Sequence, residues 1–276
     1  MNKIALKLIE KAQGEKASTL DLSDLQLLEL PLEVWQLTGL QELNISFNQI
    51  TELPVEIGEL VNLRKLILAG NQLTTLPSAI GRLSKLEHLN VSWNQLFELP
   101  IEIGQLGKLE ELNISVNQIT ELPTEIGQLS KLQRFEIEEN GIIELPSSMG
   151  QLTNLDYLNI ACNQVRELPT EIGQLTKLKF LNISNNQITE LPTEIGQLTN
   201  LDGLYISNNC IRRLPTEIGQ LTNLDSLDIA GNQIKKLPSE ICKLTKLRFL
   251  YKSGNPLKIS TKIIEWEKKY NTFLLD

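Results

Sequence analysis

The sequence predicts an α/β repeat solenoid, with a parallel β-sheet on one face, short 3-10 or turn segments on the opposite face, and a helical cap at each end. Three observations predict it. Asn recurs at 48, 71, 94, 117, 140, 163, 186, 209, 232 and 255, at an interval of 23 with no insertion or deletion. Pro recurs in a matching register at 31, 54, 77, 100, 123, 146, 169, 192, 215 and 238, which takes ten of the eleven prolines. Leu and Ile fill the remaining fixed positions of the units. A fixed period of about 20–50 residues marks supersecondary units that bury a core only by stacking on one another.

Each element follows from a unit such as Leu40–Asn62, LQELNISFNQITELPVEIGELVN. Leu43-Asn44-Ile45 alternates, so Leu43 and Ile45 point into the interior of a short strand and Asn44 points the other way. The repeat Asn follows where the chain leaves the strand. Its amide can bridge backbone groups of adjacent turns that an apolar residue would leave unpaired, at about 1–3 kcal/mol each. Pro sets φ near about −65° as the chain enters the far side. A segment such as Pro123-Thr124-Glu125-Ile126 is expected to be broken by Gly127, and Ile126 and Leu129 return to the core. All these positions are read as structural. A degenerate first unit around Leu20–Gly39 carries Leu25 in the Asn register.

The pattern L-x-x-L-x-I-x-x-N-x-I-x-x-L-P-x-E-I-G-x-L resembles the leucine-rich repeat family. More narrowly it is similar to the 23-residue class found in Roco proteins, in Scribble- and Erbin-like scaffolds and in many bacterial proteins. The resemblance covers residues 17–257, about eleven repeats. It implies a horseshoe with its parallel sheet on the concave face and a role in binding other proteins.

The remaining residues are expected to be helical caps, 1–16 and 258–276. Ile4, Ala5, Leu8, Ile9 and Ala12 follow helical spacing, and Gly14 is expected to stop that helix. Ile259, Ile263, Trp266, Tyr270 and Phe273 fit a second amphipathic helix with Ser260 as its N-cap. This helix reads as a lid over the last repeat, with a partner- or membrane-surface helix as the alternative. Both ends read as finished. No G-x-x-x-x-G-K-[ST] phosphate loop occurs, so the nucleotide-binding domain of Roco proteins is not expected.

Composition excludes several classes. A 41% hydrophobic share supports a core, and 34 Asp+Glu against 26 Lys+Arg, net −8, argue against nucleic acid as partner. No apolar run reaches the length of a membrane span, and the N-terminus does not read as a signal peptide, so stable membrane insertion is not expected. Cys162, Cys210 and Cys242 are too few for a disulfide framework and suit a reducing compartment. A cytoplasmic protein is expected, with export by a specialised secretion system as the alternative. With one His and no catalytic constellation, neither enzyme, cofactor nor metal is expected.

Function is therefore sought on positions the repeat leaves free, those seven, six, four, two and one before each Asn. Over the ten Asn-bearing units these hold eleven acids and five bases, which favours a partner with a basic surface. Tyr157 and Phe180 share a column in adjacent units and Tyr205 lies one unit on; Gly203 and Ser226 leave room beside them. Phe249 and Tyr251 extend the trend and could meet the C-terminal cap instead. An open-face aromatic cluster has the look of a binding hot spot, with surface filler as the alternative. Arg134, Glu136, Glu138 and Glu139 form an irregular charged unit that reads as an acidic rim for the cluster rather than a cation site. Phe47 and Trp93 could extend the face or pack on neighbouring turns. His88 reads as a surface histidine beside Glu111 and, with Trp93, Arg134, Glu136, Glu138 and the aromatic cluster, is a candidate protein-binding residue. Residues 235–269 carry +7 and residues 1–234 carry −14. The expectation is a monomeric, non-enzymatic scaffold that binds a partner protein. A secreted bacterial effector using the same face is the alternative.

Overall fold

The computed structural model describes residues 3–270 and 273–275. The chain divides into two compact units, Met1–Gly141 and Ile142–Asp276.

The first unit opens with α1 (Lys3–Glu15), followed by β1 (Thr19–Asp21), β2 (Glu42–Asn44), β3 (Lys65–Ile67), β4 (His88–Asn90), β5 (Glu111–Asn113) and β6 (Arg134–Glu136). These strands pair in chain order, all parallel, and every residue is opposite its repeat equivalent: Leu20↔Leu43, Leu43↔Leu66, Leu66↔Leu89, Leu89↔Leu112 and Leu112↔Phe135. An unbroken period dictates this register, because each unit returns the chain to the same phase of the pleat. Between strands run five-residue 3-10 turns such as Val55–Glu59 and Ile101–Gln105, each opening directly after Pro with φ of −73° and −65° respectively. The central strand leucines and the inward turn isoleucines Ile57, Ile80, Ile103 and Ile126 are sealed from water.

The second unit repeats the design with β7 (Tyr157–Asn159), β8 (Phe180–Asn182), β9 (Gly203–Tyr205), β10 (Ser226–Asp228) and β11 (Phe249–Tyr251). It ends with α2 (Thr261–Tyr270) and β12 (Phe273–Leu275). Pairing is again parallel and in register from β7 to β12.

The repeat Asn side chains hold consecutive turns together. Asn94 donates from Nδ2 to the carbonyls of Leu68 at 3.0 Å and Val91 at 3.0 Å, and its Oδ1 accepts from Leu73 N–H at 3.0 Å. The same set recurs at Asn71, Asn186, Asn209 and Asn232. One carboxamide thus satisfies backbone groups of two successive turns, its own and the preceding one, which the bare backbone cannot do where the strands stop.

Four local expectations change. The turn glycine does not break the turn: Gly127 lies inside Thr124–Gln128. Its role is spacing, since a Cβ at the equivalent Gly104 would sit 2.7 Å from Glu125 O and 2.8 Å from Gln128 Oε1 of the next turn. Gly14 does not stop α1, which continues to Glu15. Lys16 stops it by adopting φ +51°, and Ala17 N–H closes the end on Ala12 O at 2.9 Å. Of the predicted apolar face of α1, Ala5, Ile9 and Ala12 are buried while Ile4 points to water. At the other end, Ile263 and Trp266 anchor α2, but the helix ends at Tyr270 and Phe273 belongs to β12, paired with β11. An unpaired sheet edge is a stronger attractor for the FLL segment than a further helical turn.

Candidate functional site

The open face of the second unit carries an aromatic ladder. Tyr157 and Phe180 face each other across β7 and β8, and their rings stack with centroids 4.4 Å apart and planes 2° from parallel. Phe180 and Tyr205 follow at 5.1 Å with a 36° tilt. Strand spacing sets the first distance, because side chains in one column of a parallel sheet repeat at about 4.8 Å, close to ring thickness plus contact. Tyr205 comes from the neighbouring column and reaches the ladder by lying over Gly203. A Cβ there would be 2.8 Å from the ring, and Gly203 is buried beneath it. The space that Gly203 leaves beside the cluster is thus filled by Tyr205 itself. All three rings are half-buried and held by contact with one another, so they are ordered in the absence of a ligand. Phe249 is half-buried under the Arg248 guanidinium at 5.5 Å, and Tyr251 is exposed.

Around the ladder, Lys179 pairs with Asp156 at 3.9 Å and Arg248 pairs with Asp225. Asn182 points its amide to the open face while Oδ1 accepts from Ser184 N–H at 3.0 Å. Cys162 is exposed at the strand exit.

In the first unit the open face is polar, and its charges alternate. Arg64 bonds Glu87 at 3.0 Å, His88 Nδ1 lies 3.0 Å from Glu111 Oε2, and Arg134 Nε donates to Glu136 at 2.5 Å. Asn113 donates to the other oxygen of Glu136 at 2.9 Å. His88, Arg134 and Glu136 are therefore engaged with neighbours on their own unit, in pairs of a kind worth about 0–1 kcal/mol. Glu138 is half-buried and Glu139 exposed. Among the described residues no group of three or more His, Cys, Asp or Glu is arranged to hold a metal ion. The rim residues Arg134, Glu136 and Glu138 belong to the first unit, and the ladder to the second.

Sequence reasoning missed the backbone of the strand exit. In every unit the residue before the repeat Asn, or its Leu25 equivalent, has positive φ: Asp24, Phe47, Gly70, Trp93, Val116 and Glu139 in the first unit, and Cys162, Asn185, Asn208, Gly231 and Gly254 in the second. Gly, Asn and Asp at six of these positions were the available signal. Phe47 and Trp93 project from this edge, 65% and 63% exposed. Among the described residues no helix is long and apolar enough to cross a membrane.

A family model described as leucine-rich repeat region matches residues 20–118, 102–165, 152–210 and 204–263. The chain belongs to the leucine-rich repeat family. Among solved structures it is similar to a TDR receptor, at 28% identity and TM-score 0.87 over 96% of this chain and 48% of that one. It is also similar to the plant peptide hormone receptor RGFR1, solved in complex with RGF2, at 26% identity and TM-score 0.72 over 92% and 50%. InlJ of Listeria monocytogenes shares the fold at 24% identity and TM-score 0.73, over 89% and 55%. The chain thus spans about half the length of these structures. No curated protein is significantly similar to it.

Proposed function

We propose that the chain is a non-enzymatic scaffold, monomeric and cytoplasmic, that binds a partner protein on the open sheet face, anchored on Tyr157, Phe180 and Tyr205. One observation carries this reading: three aromatic rings stand in contact on a face where their neighbours are Asp156, Asn159, Lys179, Asn182 and Ser184. Stacked rings at the centre of a polar surface supply large contact area with little side-chain entropy left to lose. The similarity to receptors, one of them solved with RGF2, supports a protein or peptide ligand. Three cysteines without a disulfide support a reducing compartment.

The test is a pull-down from lysate of the native cell, read by mass spectrometry, comparing the wild type with Tyr157→Ser/Phe180→Ser/Tyr205→Ser. None of the three belongs to the repeat core, so the variant should fold. A protein enriched by the wild type alone supports the ladder as the site. Equal enrichment by both refutes it.

A further inference from the structure

The strand-exit edge of the first unit carries a second aromatic surface, and it stands independently of the open-face ladder. The left-handed conformation before each repeat Asn disfavours any residue with a Cβ, by about 1–2 kcal/mol. Asn, Asp and Gly suit it best. The first unit nevertheless places Phe47 there at φ +55° and Trp93 at φ +56°. Burial does not compensate, since roughly two thirds of each side chain faces water, at 65% and 63%. Phe97, on the same edge four residues after Trp93, is 54% exposed. Between the two strained aromatics lies Gly70, and the Phe47 ring leans over it, with Cδ1 2.7 Å from where a Cβ would be. Gly70 thus brings no side chain of its own to the edge between the units that carry Phe47 and Trp93. The Phe47 ring covers Gly70 yet stays mostly exposed, as the Trp93 ring does, and exposed rings on an unfavourable backbone cluster where chains bind something.

The surrounding charge selects the partner. Glu52, Glu98 and Glu121 recur in register on this edge, all exposed, and among the described residues none of them forms an ion pair. Within the residues 24–29, 47–52, 70–75, 93–98, 116–121 and 139–141 that form the edge there is no Lys or Arg. The combination of exposed rings and free carboxylates at a repeating spacing fits guanidinium groups, which stack flat on aromatic faces and pair with carboxylates through their edges. The design is local. The same registers in the second unit hold Arg166, Arg212, Arg213, Lys235 and Lys236, with Asn185 and Asn208 on the left-handed positions. We propose that the strand-exit edge of the first unit binds an arginine-rich segment of a partner protein, with Phe47, Trp93 and Phe97 as stacking platforms and Glu52, Glu98 and Glu121 as counter-charges.

The test uses the full chain and a fluorescein-labelled octa-arginine peptide, followed by fluorescence anisotropy at about 0.15 M salt. In Phe47→Asn/Trp93→Asn/Phe97→Thr each new residue is one that the repeat already uses in that register, as Asn185, Asn208 and Thr74 show. That variant should keep the wild-type melting temperature or exceed it, and its net charge is unchanged. It should bind the peptide at least about tenfold more weakly. Glu52→Gln/Glu98→Gln/Glu121→Gln should lose a comparable factor. Tyr157→Ser/Phe180→Ser/Tyr205→Ser should bind as the wild type does, which separates this surface from the ladder. An octa-lysine peptide should bind the wild type more weakly than octa-arginine. Equal octa-arginine affinity in the wild type and the aromatic variant overturns the proposal, because charge alone would then explain the binding. A concentration-dependent dimer in sedimentation, abolished by Arg212→Glu/Arg213→Glu, also overturns it, by making a second copy the occupant.

Discussion

Asn186→Ala should cost the protein far more than Gln187→Ala at its exposed neighbour. The Asn186 side chain makes four contacts. Oδ1 accepts from Val165 N–H at 2.9 Å, and Nδ2 reaches the carbonyls of Ile160, Ile183 and Ser184 at 3.0, 3.1 and 3.2 Å. The losses are unequal. The Ile160 and Ile183 carbonyls each keep a second donor, Asn163 at 3.1 Å and Asn209 at 3.0 Å. The Val165 N–H has no substitute, and an orphaned buried donor costs about 1–3 kcal/mol. Emptying the carboxamide volume of a residue only 8% exposed adds a packing loss, so the sum is about 2–4 kcal/mol. Gln187→Ala leaves the backbone bond from Gln187 N–H to Val165 O intact and should stay within about 0.5 kcal/mol. The assay is equilibrium urea unfolding followed by far-UV circular dichroism. A loss below about 1 kcal/mol for Asn186→Ala with an unchanged m-value would refute the view that this ladder, rather than the leucine core alone, ties the turns together.

Four other outcomes can be checked on the same material. Gly173→Ala puts a Cβ 2.7 Å from Gln197 Oε1 and 2.8 Å from Glu194 O and should destabilise by about 1–3 kcal/mol. Gly107→Ala meets nothing within 4 Å and should be neutral or slightly stabilising in the same urea titration. Asp21 is held below the ordinary carboxylate range by hydrogen bonds from Ser23, its N–H at 2.9 Å among them. A depressed folded pKa contributes stability at neutral pH that is lost as pH falls below about 4. The gap in urea midpoint between wild type and Asp21→Asn should therefore narrow from pH about 7 to about 3, and a constant gap would contradict the assignment. Burial pushes the Cys242 thiol up, while Cys162 is exposed. Iodoacetamide at pH about 8 should alkylate Cys162 first, as peptide mass mapping over time would show.

The fold was legible because a period of 23 without insertion leaves one register open to every strand. The buried Asn ladder was legible for the same reason, since a polar residue fixed among leucines must be satisfied. The strand-exit conformation was harder to see. Phe47, Trp93, Val116, Glu139 and Cys162 are poor left-handed residues and masked what Asp24, Gly70, Asn185, Asn208, Gly231 and Gly254 in the same register implied. Gly127 was misread because a glycine placed for close approach looks the same in sequence as one placed to break a turn. Phe273 fits the helical spacing of Ile263, Trp266 and Tyr270, and only the free edge of β11 makes it a strand residue. At the site, the shared column of Tyr157 and Phe180 followed from the repeat. That Tyr205 folds back over Gly203 depends on a side-chain rotamer, which no spacing specifies.

Charge counting along the open face also gave less than it promised. It treats each carboxylate as available, but Glu87, Glu111, Glu136, Asp156 and Asp225 each already face a cation or His88 on their own unit. Pairing leaves the net field acidic while using up the directional contacts a partner's lysines would need. The two effects separate kinetically. Net charge guides diffusional approach and is screened by salt, whereas the lifetime of a complex follows from the contacts it must break. Once the ladder's partner has been captured, raising salt from about 0.05 to about 0.5 M should slow its association with the chain and leave dissociation nearly unchanged, while Phe180→Ser should do the reverse. If salt instead accelerates dissociation by the larger factor, ion pairs hold the complex and the rings are secondary.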